Sequence, residues 1–192
     1  MKNYLILILL SLLSLNSWSQ ELSEKEKQIN VVRENYIQTN TNKKDFDIFT
    51  FNSPYYDGSI FSDTIFMDYD KIKIIKTDIG SEFTHNTAEY YFKNKKVYFI
   101  YIRNYSEGHW SENPIPFHVE EYRYYFNENE QILKILEKKV KGADAEIPNR
   151  NEIINKTPNV ELSPRKHILY KSELKKAKDY ADYFQKLYNI HY

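Results

Sequence analysis

Two apolar runs separated by four polar residues constrain the fold more than any other part of this chain. The segment 89–103 reads EYYFKNKKVYFIYIR, with aromatic and β-branched residues on both sides of the polar residues 93–96. Runs of this kind joined by a short polar turn are typical of a β-hairpin. The pattern recurs as EYRYYFNENEQILKIL over 121–136. The sequence therefore predicts an antiparallel sheet built from consecutive hairpins.

The second arm of the first hairpin is apolar at every position from Val97 to Ile102. Because side chains alternate along a strand, we expect the odd-numbered residues on one face and the even-numbered residues on the other. A strand that is apolar on both faces is usually covered on both faces. We expect a terminal helix on one face, and on the other face either the second terminal helix or the curl of the sheet itself.

Both ends of the domain carry helix signals. Ser23 and Glu26 form a capping box that opens a predicted helix over 24–38. Near the C-terminus, Ser163-Pro164 is a helix start with Ser as the N-cap. Six residues then follow at spacings of four and three and share one helical face: Tyr170, Leu174, Ala177, Ala181, Phe184 and Tyr188.

The remaining apolar runs complete a predicted α+β fold. We expect further strands over 46–51, 60–67, 72–77, 117–126 and 131–141, and a polar segment, 142–162, that crosses the surface. The predicted architecture is an N-terminal helix, a curved antiparallel β-meander of six or seven strands, and a long C-terminal helix packed on the sheet.

The first 19 residues have the features of a cleaved secretory signal peptide. Lys2 precedes an apolar stretch from Tyr4 to Leu15, and small residues flank Trp18 before the expected cleavage point. The alternative is a retained membrane anchor. Cleavage leaves residues 20–192 as one domain without a transmembrane segment, in the periplasm or outside the cell. The chain has no cysteine, which excludes lipidation, disulfides and thiol chemistry.

The net charge of zero and the motif content exclude several function classes. Nucleic-acid binding is not expected of an exported, charge-balanced chain without a recognised binding motif. The sequence has no GxSxG, P-loop or GxGxxG motif, so we expect no cofactor and assign no catalytic residue. The sheet segment is acidic and the C-terminal segment basic, which predicts either mutual compensation or a basic face for an anionic surface.

Three sequence segments together resemble a known group of proteins. They are QINVVRENY in the first helix, the hairpin EYYFKNKKVYFIY, and the second YYF strand. In this respect the chain resembles uncharacterised small exported proteins of Bacteroidota, over about 29–136. The resemblance implies export and implies no activity.

Histidines and carboxylates in and after the loop predicted over 104–116 form the best candidate for metal or acid-base chemistry. His109, His118 and Glu120, with Glu121 as an alternative to Glu120, could bind a metal ion. Their spacing fits no helical zinc motif, and a loop histidine is more often simply solvated. His118 and Glu120 alternate onto the same face of a strand.

Aromatic residues in two loops form the candidate binding surface. Tyr105, His109 and Trp110 could stack on a sugar ring or an apolar partner, and Tyr55 and Tyr56 could join them. The alternative is that Trp110 folds back as a lid on the sheet. The function that we expect is a non-enzymatic exported binding module for an unknown protein or glycan. A metal-assisted hydrolase and a periplasmic inhibitor or immunity protein are the alternatives.

Overall fold

A computed structural model of the chain describes residues 23–54, 60–109, 111–144 and 147–188. These ranges contain three α-helices, a short 3-10 turn at Lys43–Asp45, and eight strands. The helices are α1 (Glu24–Asn42), α2 (Ile147–Lys156) and α3 (Leu169–Tyr188). The strands are β1 (Asp47–Pro54), β2 (Ile60–Asp68), β3 (Lys71–Gly80), β4 (Thr84–Lys93), β5 (Lys96–Glu107), β6 (Pro116–Phe126), β7 (Ile132–Ala143) and β8 (Val160–Glu161).

The eight strands form a single antiparallel sheet in which each strand pairs with its neighbours in sequence, in the order β1 to β8. The α+β class, the terminal helices and the antiparallel meander are thus as predicted. The prediction of six or seven strands was wrong. The additional strand is β8, whose two residues pair with Leu136 and Glu137 of β7, and a segment this short carries no alternating pattern that a sequence can reveal.

Apolar clusters lie on both faces of the sheet, as expected for strands without a polar side. On the face that we call the α1 face, Ile29 and Val32 of α1 are buried in one cluster with sheet residues that include Ile74, Tyr91 and Phe99. On the α3 face, a second cluster joins residues of α3 to sheet residues that include Ile75, Ile100, Tyr124 and Phe126. The terminal helices therefore cover opposite faces.

α1 begins as the sequence predicts, with the Ser23 hydroxyl accepting a hydrogen bond from the backbone N–H of Glu26 at 3.2 Å. The helix continues to Asn42, beyond the predicted end at residue 38. The polar residues of this last turn have partners in the fold. The Thr39 hydroxyl lies 2.9 Å from the Tyr98 hydroxyl, and the Asn40 amide donates to the Tyr36 carbonyl at 2.9 Å.

α3 buries the apolar stripe that its spacing predicts. Ala177 and Ala181 are fully buried, and Phe184 is almost so. The predicted start of this helix was wrong, because the helix begins at Leu169 and not after Ser163. The Ser163 carbonyl instead accepts the backbone N–H groups of Lys166 and His167 at 3.0 and 3.2 Å, which closes a separate turn before the helix.

A β-bulge changes the faces that the hairpin residues occupy. The register between β4 and β5 shifts at Tyr91/Phe92, and a bulge of this kind breaks strict alternation. Val97 therefore shares the α3-face cluster with Ile100, while Tyr98 and Phe99 both lie in the α1-face cluster. The predicted separation into odd and even faces was wrong at Val97 and at Tyr98, although both faces of the arm are buried as expected.

The helix α2 lies in the segment that the sequence predicted to be a surface loop. Its residue Ile154 is buried with Phe117, Val119 and Val140. By alternation along β6, Phe117 and Val119 are on the same face as Tyr125, which belongs to the α1-face cluster. The two helices α1 and α2 thus cover different parts of one face.

No helix within the described ranges is long and apolar enough to cross a membrane.

Candidate functional site

A band of polar side chains lies on the α1 face between the two apolar clusters under α1 and α2. The sheet register places two rows of residues across the strands in this band. The first row, from β3 to β6, is Lys76, Glu89, Tyr101 and Arg123, and the second, from β3 to β7, is Asp78, Thr87, Arg103, Glu121 and Lys138. Charged residues on a sheet face that helices cover are costly unless they are paired or serve a ligand.

The band forms the floor of a cavity of about 470 Å³, which we call the inter-helix groove. The side chains that line it come from β3, β4, β5 and α2: Lys76, His85, Thr87, Glu89, Tyr101, Arg103, Tyr105, Glu107, Arg150, Asn151 and Ile154. A second depression of about 420 Å³ shares Tyr101 with the groove and continues along α1. This size is typical of small-ligand sites.

Glu121 is the best-satisfied charge in the band. It is only 4% exposed, and the Tyr101 hydroxyl donates to its Oε1 at 3.0 Å. Arg123 donates to Oε2 at 2.9 Å, and the Lys138 ammonium lies 3.9 Å from the same oxygen. Both carboxylate oxygens therefore have donors, as a buried charge requires. Burial beside this carboxylate raises the pKa of Tyr101 well above its usual value.

Arg150 connects α2 to the floor of the groove. It is 4% exposed, and it forms an ion pair with Glu107. Its guanidinium also donates to the Tyr105 hydroxyl and to the Asp144 carbonyl, each at 2.7 Å. The hydrogen bond from Tyr105, at 2.7 Å, and the neighbouring guanidinium lower the pKa of Glu107 below its usual range. This network holds α2 in place at one side of the groove.

The outer rim of the groove carries a smaller ionic cluster. Asp78 accepts Lys76 at 3.1 Å and also pairs with the ring of His85. These side chains are a quarter to a half exposed, so the cluster is in contact with water. Pairs of this kind contribute little to stability.

Arg103 lies at the centre of the floor, between Thr87 and Glu121 in the sheet register. Its side chain is half-buried. Among the described residues, it makes no hydrogen bond and has no carboxylate within 4 Å. Every other cation of the band has at least one such partner. Arg103 is therefore the one uncommitted charge that this part of the structure places in the groove.

The structure places the predicted binding residues in three different situations. Tyr105 is in the groove, because β5 continues to Glu107 where the sequence predicted a loop after Arg103. His109 is exposed in the loop after β5, where its ring lies 5.6 Å from that of Phe83 and its Nδ1 lies 2.8 Å from the Ser111 hydroxyl. Trp110, Tyr55 and Tyr56 lie outside the described residues.

The predicted metal residues do not share one location. His118 and Glu120 lie on the α3 face of β6, opposite to the groove, with Nε2 and Oε1 3.5 Å apart. Lys139 approaches the same oxygen at 3.8 Å. Glu121, the alternative ligand, faces the groove and is held by Tyr101 and Arg123. In the described part of the chain, no three His, Asp or Glu residues are arranged to hold a metal ion. The structure therefore lends the metal hypothesis no support.

Sequence reasoning missed Arg103 and Arg150, which line the groove, and it considered Glu121 only as an alternative metal ligand. Arg103 is followed by further polar residues on β5, and Glu121 lies next to another glutamate on β6, so neither residue stands out in the sequence. Their meeting depends on the strand register, and the position of Arg150 depends on a helix that has no clear sequence pattern.

No family model, no curated protein and no solved structure matches this chain.

Proposed function

We propose that the protein is an exported, non-enzymatic binding module that holds part of a protein or glycan in the inter-helix groove. The observation that carries the proposal is the half-buried, uncommitted Arg103 on the floor of a 470 Å³ cavity. Leaving a guanidinium desolvated without a partner is unfavourable, and a ligand that pairs with it removes this penalty. The export component rests on the signal peptide predicted over 1–19, outside the described residues.

The composition of the groove supports binding more than catalysis. Its lining contains neither Ser nor Cys, which are the usual nucleophiles. Tyr105 and the paired Arg150 lower the pKa of Glu107, which favours its ionised form and not a proton exchanger. The rings of Tyr101 and Tyr105 instead offer rigid contact surfaces, a common property of binding sites.

Chemical-shift mapping on the ¹⁵N-labelled protein tests this proposal. Neutral and acidic oligosaccharides and short peptides are titrated, and backbone amides of β3 to β6 are followed. The expected result is that at least one probe shifts the amides around Thr87 and Arg103. Shifts that cluster on the α3 face or in the loop of His109 would place the binding site elsewhere.

A blocking variant makes this test specific to the groove. Thr87 is half-buried in the lining, so Thr87→Trp fills the cavity and is expected to weaken binding at least tenfold. The matched control is Thr50→Trp, because Thr50 is an exposed residue on β1, outside the lining. Equal binding by the wild type and the Thr87→Trp variant would overturn the proposal.

A further inference from the structure

We infer that the ligand of the inter-helix groove carries a carboxylate, and that Arg103 binds it through its guanidinium. This inference rests on the proposed function and adds the chemical class of the ligand. Arginine recognises a carboxylate through two parallel N–H···O bonds, because its planar fork matches the two oxygens.

Arg103 is free because the nearest carboxylates are already engaged. Glu121, its register partner on β6, uses Oε1 to accept from Tyr101 and Oε2 to accept from Arg123. Glu89 lies on β4 two residues from Thr87, the register partner of Arg103, and it accepts a hydrogen bond from the Tyr91 hydroxyl at 2.6 Å. Neither carboxylate lies within ion-pair distance of Arg103. The donors of its guanidinium are therefore left for a group that enters from the groove.

The charges around Arg103 favour an anion. The lining contains three cations, Lys76, Arg103 and Arg150, and two carboxylates, Glu89 and Glu107. The positive charge of the lining therefore exceeds its negative charge. Such a surplus in a partly buried cavity attracts an anionic ligand and strengthens its pairing.

The same groove disfavours an anion with more than one charge. The carboxylates of Glu89 and Glu107 line it together with Arg103. A phosphate monoester carries about −1.5 to −2 charges at pH 7, and it would meet these carboxylates without a second free cation to compensate it. A single carboxylate needs one guanidinium and leaves the repulsion small. The chemistry that fits is therefore a monoanionic carboxylate attached to a neutral body.

Two kinds of ligand supply such a group, and the experiment distinguishes them. One is an acidic sugar with its carboxylate on a pyranose ring, and the other is the C-terminus of a peptide. Tyr101 and Tyr105 flank Arg103 on the same face of β5. Their rings provide contact area for a sugar ring or for an apolar side chain, so both kinds of ligand fit the tyrosine side chains.

The arginine side-chain resonances report on this contact directly. The sequence contains five arginines, so the Nε–Hε region of a ¹⁵N spectrum holds five signals: Arg33, Arg103, Arg123, Arg150 and Arg165. Each probe is a monoanion that is compared with its uncharged derivative, galacturonate with its methyl ester and N-acetyl-trialanine with its C-terminal amide. We expect one acid to shift the Arg103 signal and to bind at least tenfold more tightly than its derivative.

Variants at Arg103 separate a contact from a structural effect. Arg103→Gln is expected to lose at least tenfold in affinity for the acid, and to leave binding of the uncharged derivative unchanged. Arg103→Lys keeps the charge but not the fork, so its affinity should fall between the two. The control is Arg165→Gln, because Arg165 is exposed in the turn before α3 and does not line the groove.

The outcomes distinguish failure of this inference from failure of the proposed function. If acid and uncharged derivative bind the groove equally, or if inorganic phosphate shifts the Arg103 signal at lower concentration than the acids, the carboxylate inference is wrong and the groove remains a binding site. If only uncharged probes bind the groove, the inference is also wrong. If no probe of any class binds there, both the inference and the proposed function fail.

Discussion

The carboxylate of Asp63 is buried in the sheet, and its removal should stabilise the protein at pH 7. Asp63 is 8% exposed on the α3 face of β2. In the register it lies between Phe51, which stacks on Phe184 of α3, and Thr77. Its Oδ1 makes no hydrogen bond. Burial raises the pKa of this carboxyl group to about 6, from an ordinary value of 3.8.

The size of the effect follows from the difference between the folded and unfolded pKa values. One pKa unit corresponds to about 1.4 kcal/mol, so the ionised carboxylate costs about 3 kcal/mol of unfolding free energy at pH 7. The group is easier to protonate in the folded state, so this cost is fully present above pH 6 and disappears as the pH falls towards 3.8. At pH 5 about half of this cost remains.

Urea unfolding of the Asp63→Asn variant and the wild type at pH 7 and pH 5 measures this term. The Asn amide has its own burial cost, but that cost does not depend on pH. We therefore expect the stability advantage of the variant to be about 1 kcal/mol larger at pH 7 than at pH 5. The control is Asp70→Asn in the exposed β2–β3 turn, which should change little at either pH. An advantage for Asp63→Asn that is independent of pH would refute the reasoning.

Two further predictions concern the helices that cover the sheet. Ala181 is fully buried between α3 and the sheet, so Ala181→Leu should overpack this contact and lower the free energy of unfolding in urea by about 1–3 kcal/mol. The control Lys171→Leu, on the exposed side of α3, should change that free energy by less than about 0.5 kcal/mol. Equal effects of the two variants would contradict the packing of α3 on the sheet. Arg150→Ala removes the partner of Glu107 and Tyr105. It should lower the free energy of unfolding by about 3 kcal/mol and speed amide hydrogen exchange in α2. Unchanged exchange in α2 would show that Arg150 does not hold this helix.

The parts of the fold that the sequence predicts are those in which one residue pattern has one physical explanation. Ala177, Ala181 and Phe184 lie at helical spacing with small residues between bulky ones, and only burial against a surface accounts for that pattern. The capping residues Ser23 and Glu26 likewise mark the start of α1. In the same way, the alternating aromatic runs predict the hairpins.

Other parts depend on interactions that no local pattern carries. α2 has a single residue, Ile154, among the buried residues of the core, so its amphipathic signal is too weak to distinguish it from a loop. The faces of Val97 and Tyr98 depend on the bulge opposite Phe92, whose position is set by pairing between two strands. The start of α3 depends on a separate turn, in which the Ser163 carbonyl accepts hydrogen bonds from the backbone of Lys166 and His167 before the helix begins.

Of the predicted binding residues that the structure describes, Tyr105 lies in the groove and His109 does not. Tyr105 was expected to act from a loop beside Trp110, and it instead lies on β5 with its hydroxyl held by Arg150. The importance of Arg103 could not be read from the sequence. Its free guanidinium is defined by what Glu121 binds, and that depends on side chains from three other places in the chain.

The most direct test of the groove as the binding site is a set of intermolecular NOEs to a bound acid probe. The account predicts NOEs from the probe to the methyl group of Thr87 and to the rings of Tyr101 and Tyr105, because these side chains surround Arg103 on the α1 face. It also predicts that these NOEs are lost in the Arg103→Gln variant. NOEs only to α3 or to the loop of His109 would contradict the central claim.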